Sequence, residues 1–383
     1  MASIHRTARK ADGGRARYTY QVKYRGPDRR QRTRSFRREV EAKAFAAAVE
    51  TDKARGQWTD PRGGRVTVAE WAETWLASKV DLRPSSRARL EGIVTTHILP
   101  AFGRRRLDQV SNADVRAFVA ELSTRRSAAT TRKAHNALGQ MFRAAVADRR
   151  VAFDPTADVP LPAEHADEQR FLSAPEVETL AEAIEPRFRA LVLLAAYGGL
   201  RFGELAALRR KRVDLLRGRV KVAEATSDVH GHPLAFGPPK TKRSRRAVPL
   251  PRRVVAELEH HLATYTEADP EALVFTGPKG APLRRAGFAR LWWRPATMKA
   301  DLEGLKVHEL RHTFVALSIA SGGDARKASI RAGHSSVAFT LDRYGHLFED
   351  DDAPDMAKLD ALIGNAKPSD DAQITALRQI ANT

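Results

Sequence analysis

The stretch His308-Glu-Leu-Arg-His-Thr313, with Gly333-His-Ser-Ser336 and Thr340-Leu-Asp-Arg-Tyr-Gly-His346 behind it, decides how the rest of the chain is read. His308 and Arg311 are three positions apart, so on a helix they share a face and can grip one anion together. His334 lies between a glycine and two serines, and Tyr344 follows it ten residues on. Exchange of a phosphodiester needs cationic donors for the non-bridging oxygens, a nucleophile for phosphorus and an acid for the leaving oxygen. A phenol suits the second task, because it departs readily when a sugar hydroxyl attacks back. Upstream, Arg201 follows the bend Gly198-Gly199-Leu200 at the start of an expected helix, where a guanidinium and free backbone N–H groups can both face an anion. Lys240 sits in a Pro/Gly-containing excursion between two expected strands, Lys221 to Ala225 and Ala247 to Leu250. Taken singly, Tyr344 reads as a buried tyrosine, His334 as a turn residue and Lys240 as a surface charge. Only together, in this order, do they point to chemistry.

The charge agrees. Among 383 residues, 66 Lys and Arg against 46 Asp and Glu leave a formal net of +20 and a pI near 10.6. Such a chain repels itself unless a polyanion is its usual partner, which makes nucleic acid the expected one. The chain has no cysteine, which excludes disulfides, thiolate catalysis and cysteine-ligated zinc. The N-terminus lacks an apolar signal core, and the longest apolar run, Ala190 to Tyr197, is far too short for a bilayer. A cytoplasmic protein is expected.

The length predicts several modules. Residues 1–60 hold 16 Lys and Arg against 7 Asp and Glu. Tyr18, Tyr20, Val22 and Tyr24 alternate with polar residues as in a strand, Gly26-Pro27-Asp28 supplies a turn, and Arg32 to Phe36 supplies a second strand. Glu39 to Ala54 reads as a helix stopped by Gly56. A small ribbon carrying Arg25, Arg29, Arg30, Arg32 and Arg34 has the width and charge for a major groove, although a merely solvated basic tip is the plainer alternative. Residues 61–160 read as an all-α bundle of about four helices: Thr67 with Glu70 and Ser111 with Asp114 form capping boxes. Its Trp and Phe stripes fall at helical spacing, so they read as core rather than as stacking platforms. Residues 165–350 mix helices with a small antiparallel sheet, and residues 351–383 form a tail that either caps its own domain or docks on another subunit. The fold class is therefore multidomain α+β.

Five strings, Tyr197-Gly-Gly-Leu-Arg-Phe-Gly-Glu-Leu205, Pro239-Lys-Thr-Lys-Arg-Ser-Arg-Arg246 and the three quoted at the outset, resemble the successive boxes of tyrosine recombinases in the family's order. The two upstream modules resemble the arm-type and core-binding domains of lambda-type phage integrases. The resemblance implies a site-specific DNA recombinase that cuts and rejoins DNA through a 3′-phosphotyrosyl intermediate. In it Tyr344 is the nucleophile, Arg201 and Arg311 clamp the phosphate, and Lys240 is the general acid. His308 and His334 contact the phosphate, and Glu204 supports Arg201. Lys242 is close enough to Lys240 to compete for its role. Glu309 stands where the family often has Asp, and Ala332 where Leu is usual. The resemblance also implies double-stranded DNA attachment sites as partners, a homotetramer on DNA, a host DNA-bending factor and an excisionase. It implies a nucleoid-associated place in a bacterial host, and no metal or other cofactor.

Two rivals compete. His308-Glu-Leu-Arg-His312 satisfies the zinc metallopeptidase pattern H-E-x-x-H, with Glu309 as base. A cation beside Arg311 is electrostatically unfavourable, and that reading leaves the other four strings unexplained. A DNA-binding regulator without activity is the second rival, opposed by the presence of every catalytic residue type.

Overall fold

The computed structural model describes residues 2–9, 17–25, 31–54, 63–164, 170–229, 231–239, 244–333 and 344. Contacts divide the chain into two compact units, Met1–Asp167 and Glu168–Thr383.

In the first unit, strands β1 (Ser3–Arg9), β2 (Arg17–Arg25) and β3 (Gln31–Phe36) form an antiparallel sheet with β2 in the middle. Helix α1 (Glu39–Ala54) covers one face. Val22, Tyr24, Ala42 and Val49 are buried between them, with Tyr20, Phe36 and Phe45 packed alongside. The expected turn at Gly26-Pro27-Asp28 lies outside the described residues. β1 escapes a reading of periodicity because Ser-Ile-His-Arg-Thr-Ala-Arg carries only two apolar side chains.

A separate core belongs to helices α2 (Val68–Ala77), α3 (Pro84–Ile93), α4 (Leu99–Phe102), α5 (Asn112–Arg125) and α6 (Ala128–Ala147). Both expected capping boxes are present, Thr67 with Glu70 and Ser111 with Asp114. Trp71 and Trp75 are core residues, and the Trp71 indole donates to the Met141 carbonyl at 2.9 Å. A π-helical turn, Val94–Ile98, joins α3 to α4 just ahead of Pro100, which lacks an N–H and crowds the carbonyl four residues back.

The second unit is built on helices α7 (Ala174–Ala183) and α8 (Pro186–Gly198), followed by a short α9 (Phe202–Ala206). Every residue from Ala190 to Ala196 is buried, so α8 is the axis on which the unit packs. Strands β4 (Val213–Asp214), β5 (Arg219–Val222) and β8 (Arg246–Pro249) form one antiparallel sheet, and β6 (Ala225–Ser227) with β7 (Ala235–Gly237) form a two-stranded one. Helices α10 (Arg252–Thr264), α11 (Arg285–Phe288), α12 (Arg294–Lys299), α13 (Glu309–Ala320) and α14 (Ala325–Ala332) complete it. The chain is thus a multidomain α+β protein with small antiparallel sheets in a helix-rich frame.

Candidate active site

Two glycines at helix ends build the site. α8 stops at Gly199, whose backbone is left-handed (φ 65°), and a β-carbon there would lie 2.4 Å from the Phe314 ring. No other residue fits. α14 stops in the same way at Gly333 (φ 67°). Each turn leaves a carbonyl free to accept an arginine: Arg311 Nη1 donates to Gly199 O at 3.0 Å and Arg201 Nη2 to Gly333 O at 2.8 Å. Elements far apart in sequence thereby bring two guanidiniums to one place.

Glu204 stands behind them. Its carboxylate accepts from Arg201 Nη1 at 2.9 Å and takes a two-pronged grip from Arg246, at 3.2 and 3.0 Å. Burial alone raises the Glu204 carboxyl, but Arg246 and then Arg201 outweigh it, so the group stays ionised. The same carboxylate accepts the Arg201 backbone N–H at 3.0 Å. The capping box of α9 thus uses the Arg201 N–H, which is not among the free backbone N–H groups expected at this helix start. Arg246 also donates to the carbonyls of Ser244 and Arg331.

Arg311 is 2 % exposed. Burial, then repulsion by Arg201 and Arg246, lowers its pKa to about 9 against the partial support of Glu204 and Tyr344. Three guanidiniums share one carboxylate, which leaves an excess of positive charge in a place where water does little to screen it.

Tyr344 is fully buried, and its hydroxyl is hydrogen-bonded to His312 Nδ1. Phe171 packs on its ring at 5.7 Å, and Phe314, Val315, Ile319 and Ala332 share its apolar cluster. His308 starts α13, with its ring perpendicular to that of His312 at 5.0 Å. It also lines a groove of about 650 Å³ with Phe202, Arg285, Trp293 and Lys306. Glu309, the base of the metallopeptidase reading, accepts the Lys306 N–H at 2.6 Å. His312, its second ligand, is engaged by Tyr344.

Arg201, Glu204 and Arg311 of the expected set therefore come together, with Tyr344 near enough to Arg311 to influence its charge. Lys240, its competitor Lys242, and His334 lie outside the described residues. Arg246 was missed: one arginine in a basic run carries no mark of the carboxylate it will meet. Beside it a cleft of about 790 Å³ is lined by Arg209, Arg212, Lys221, Arg245 and Glu224.

In the N-terminal sheet, Arg29 and Arg30 are outside the described residues. The register pairs Val22 with Arg34 and Tyr24 with Arg32, so Arg32 and Arg34 share the face that α1 covers. The Arg34 guanidinium lies 4.8 Å from the Phe45 ring centre. Arg25 points to the opposite, open face together with Lys23, Gln21 and Thr33.

This site gathers three guanidiniums around one carboxylate, with a tyrosine and two histidines close by, an arrangement chemically suited to a phosphate. Residues 170–350 match the phage integrase family and residues 68–160 the phage integrase central domain. The putative prophage phiRv2 integrase of Mycobacterium tuberculosis is 27 % identical over 357 residues, 90 % of this chain and 93 % of that protein. The integrase of Mycobacterium phage D29 is 28 % identical, across 80 % of this chain and 84 % of its own. The Tn1549 transposon integrase in complex with a circular intermediate DNA superposes with a TM-score of 0.66 at 18 % identity, over 76 % of this chain and 99 % of that one. A lambda integrase tetramer bound to a Holliday junction gives 0.56 at 15 % identity, over 86 % and 93 %. The chain belongs to the phage integrase family of tyrosine recombinases. It is a site-specific DNA recombinase.

Proposed function

We propose that this enzyme integrates or excises a phage or mobile element by cutting DNA with Tyr344, and that Arg201 and Arg311 hold the phosphate it attacks. One observation carries the reading: three guanidiniums, two of them almost fully buried, are set around a single carboxylate and leave room in charge for one anion. Glu204 and Arg246 fix the geometry of Arg201, and the Gly199 carbonyl fixes that of Arg311. The two clamps are therefore ordered before DNA arrives, so charge developing on the phosphate meets donors that need not reorganise. His308 and His334 hydrogen-bond the same phosphate.

The phenol oxygen attacks phosphorus, the bond to the 5′-oxygen breaks, and Lys240, or Lys242 in its place, gives that oxygen a proton. The 3′-phosphotyrosyl link preserves the bond energy until a 5′-hydroxyl of the partner duplex attacks and frees the tyrosine. The guanidiniums supply the charge neutralisation, so neither a metal nor a nucleotide is called for.

Residues 1–60 bind arm-type DNA through the open face of the sheet, residues 61–160 grip the core site, residues 165–350 carry the chemistry, and residues 351–383 dock between subunits. The cleft lined by Arg212, Lys221 and Arg245 holds DNA backbone next to the scissile phosphate. Strand exchange proceeds in pairs within a homotetramer on two attachment sites, with a host DNA-bending factor and an excisionase setting direction. The place of action is the nucleoid in a bacterial cytoplasm.

The test is a nicked suicide duplex built from the DNA flanking the gene. The native chain should form a covalent adduct that survives denaturation and is insensitive to EDTA. Tyr344→Phe should shift the duplex in a gel yet form none. An adduct from that variant overturns the reading.

A further inference from the structure

His312, the second histidine of His308-Glu-Leu-Arg-His312, has no task in the reaction as set out above. Yet it is the group whose ring nitrogen, Nδ1, meets the Tyr344 hydroxyl. The two rings lie 6.0 Å apart at 38°, and His312 is 7 % exposed. Among the described residues, Phe171, Phe314, Val315, Ile319 and Ala332 pack in one apolar cluster with Tyr344. Water therefore has little access to the phenol proton, and an imidazole already stands on the oxygen that must lose it.

We propose that His312 is a catalytic residue: it takes the proton of Tyr344 as the phenol oxygen attacks phosphorus and returns it when the strands are rejoined. This rests on the reading of Tyr344 as nucleophile. In the forward step the O–H bond breaks as the O–P bond forms; the proton goes to Nδ1, and the departing 5′-oxygen is protonated by Lys240. In reverse, the incoming 5′-hydroxyl gives its proton to the lysine, the bond from phosphorus to the phenol oxygen breaks, and His312 hands its proton back. The neutral ring must carry its own hydrogen on Nε2 for Nδ1 to accept.

The charges around the site suit a base. On α13 itself stand His308, Glu309 and Arg311. The helices packed on it carry Arg187, Arg189 and Tyr197 on α8 and Arg326, Lys327 and Arg331 on α14. Arg187 lies over the Tyr265 ring and Arg189 is paired with Glu257, so the cations that count are Arg311 with Arg201 and Arg246 beside it. Arg201 and Arg246 repel the Arg311 charge and Glu204 supports it. Guanidiniums this close disfavour a further positive charge beside them. A bound phosphate offsets part of that repulsion and makes the imidazolium acceptable when it forms.

Single-turnover adduct formation on the nicked duplex, followed from pH 5.5 to 9.5, tests this in the full chain. His312→Asn and His312→Gln place an amide that can hold the phenol but cannot take its proton. The native rate should level off above the imidazole range and fall below it. The variants should be slower at pH 7 by about 10²-fold or more. Their rates should climb about tenfold per pH unit toward the ordinary phenol pKa near 10 and close on the native rate. A native rate at pH 7, or a loss that runs parallel to the native profile, overturns the proposal. Gel shift and melting establish folding. If neither amide variant folds, fluorinated tyrosines at position 344 beside an intact His312 decide. A rate that rises only weakly with phenol acidity supports proton transfer to His312, and one proportional to the phenolate fraction contradicts it. Tyr344→Phe separates the two readings: an adduct there removes the nucleophile assignment, whereas an inert Tyr344→Phe beside an unaffected His312→Asn removes only this one.

Discussion

Two sets of arginines in this molecule are held in opposite ways. Arg201, Arg246 and Arg311 are locked by a buried carboxylate and by the carbonyls of two left-handed glycines. In the N-terminal sheet, Arg34 rests on the Phe36 and Phe45 rings, Arg6 lies 3.5 Å over Tyr18, and Arg25 is exposed. In the proposed function the first set holds one phosphate, and the contacts that order it lie within the folded chain. Of the second set, Arg34 serves packing, while Arg25 stays near water, where a side chain can follow a backbone of many phosphates at little cost in solvation. A guanidinium thus serves transition-state geometry where it is buried and tethered, and affinity where it is not.

The sharpest way to break the comparison is to keep the charge and remove the fork. Arg311→Lys and Arg201→Lys should each slow adduct formation by about 10²- to 10³-fold, the scale of losing one oriented donor. Duplex affinity by gel shift should change only a few-fold. Equal losses of binding and of cleavage would mean that the two sets are not distinct.

Next in size is Glu204→Gln, which leaves Arg246 and Arg201 without their counter-charge. Urea unfolding at pH 7 should show a loss of about 3 kcal/mol or more, as for breaking other buried pairs. The pH dependence follows from the lowered carboxyl. A carboxyl whose folded pKa is below its ordinary 4.5 contributes stability that is present above 4.5 and lost as pH falls through the folded value. The gap between native and variant should therefore narrow as pH falls below about 4.5.

How far the sequence foretells this contrast depends on the range of the interactions. Local rules are legible: Thr67 with Glu70 and Ser111 with Asp114 each start a helix where expected, and Gly199 ends one. The place of Glu204 behind Arg201 comes from the family resemblance; the two stand three residues apart, Arg201 as the N-cap of α9 and Glu204 within it. The grip of Arg246 on Glu204 spans 42 residues and that of Arg201 on the Gly333 carbonyl spans 132. No periodicity carries such information. His312 is an instructive case. Its sequence pattern suggested a zinc ligand, whereas burial places it on the Tyr344 hydroxyl. The side of the sheet on which Arg32 and Arg34 lie was equally hidden, because a one-residue change of register would turn them to the open face.

The sheet offers the smaller tests. Lys23→Ala and Arg25→Ala should each reduce the salt dependence of arm-site binding by about one phosphate contact. Adduct formation on a core-site duplex should be unaffected. Arg34→Ala should have the least effect, about 0.5–1 kcal/mol of stability from a lost guanidinium–ring contact. Thermal melting would register it. A large loss of DNA affinity instead would move Arg34 from packing to recognition.

The central claim, that the corner built by Arg201, Glu204, Arg246 and Arg311 serves a phosphate attacked by Tyr344, is tested most directly by trapping the native chain on the nicked duplex. The DNA is then digested, and the modified residue is located by peptide mass spectrometry. A nucleotide remnant linked through phosphate to Tyr344 is the predicted result. The same remnant on any other residue would contradict the account.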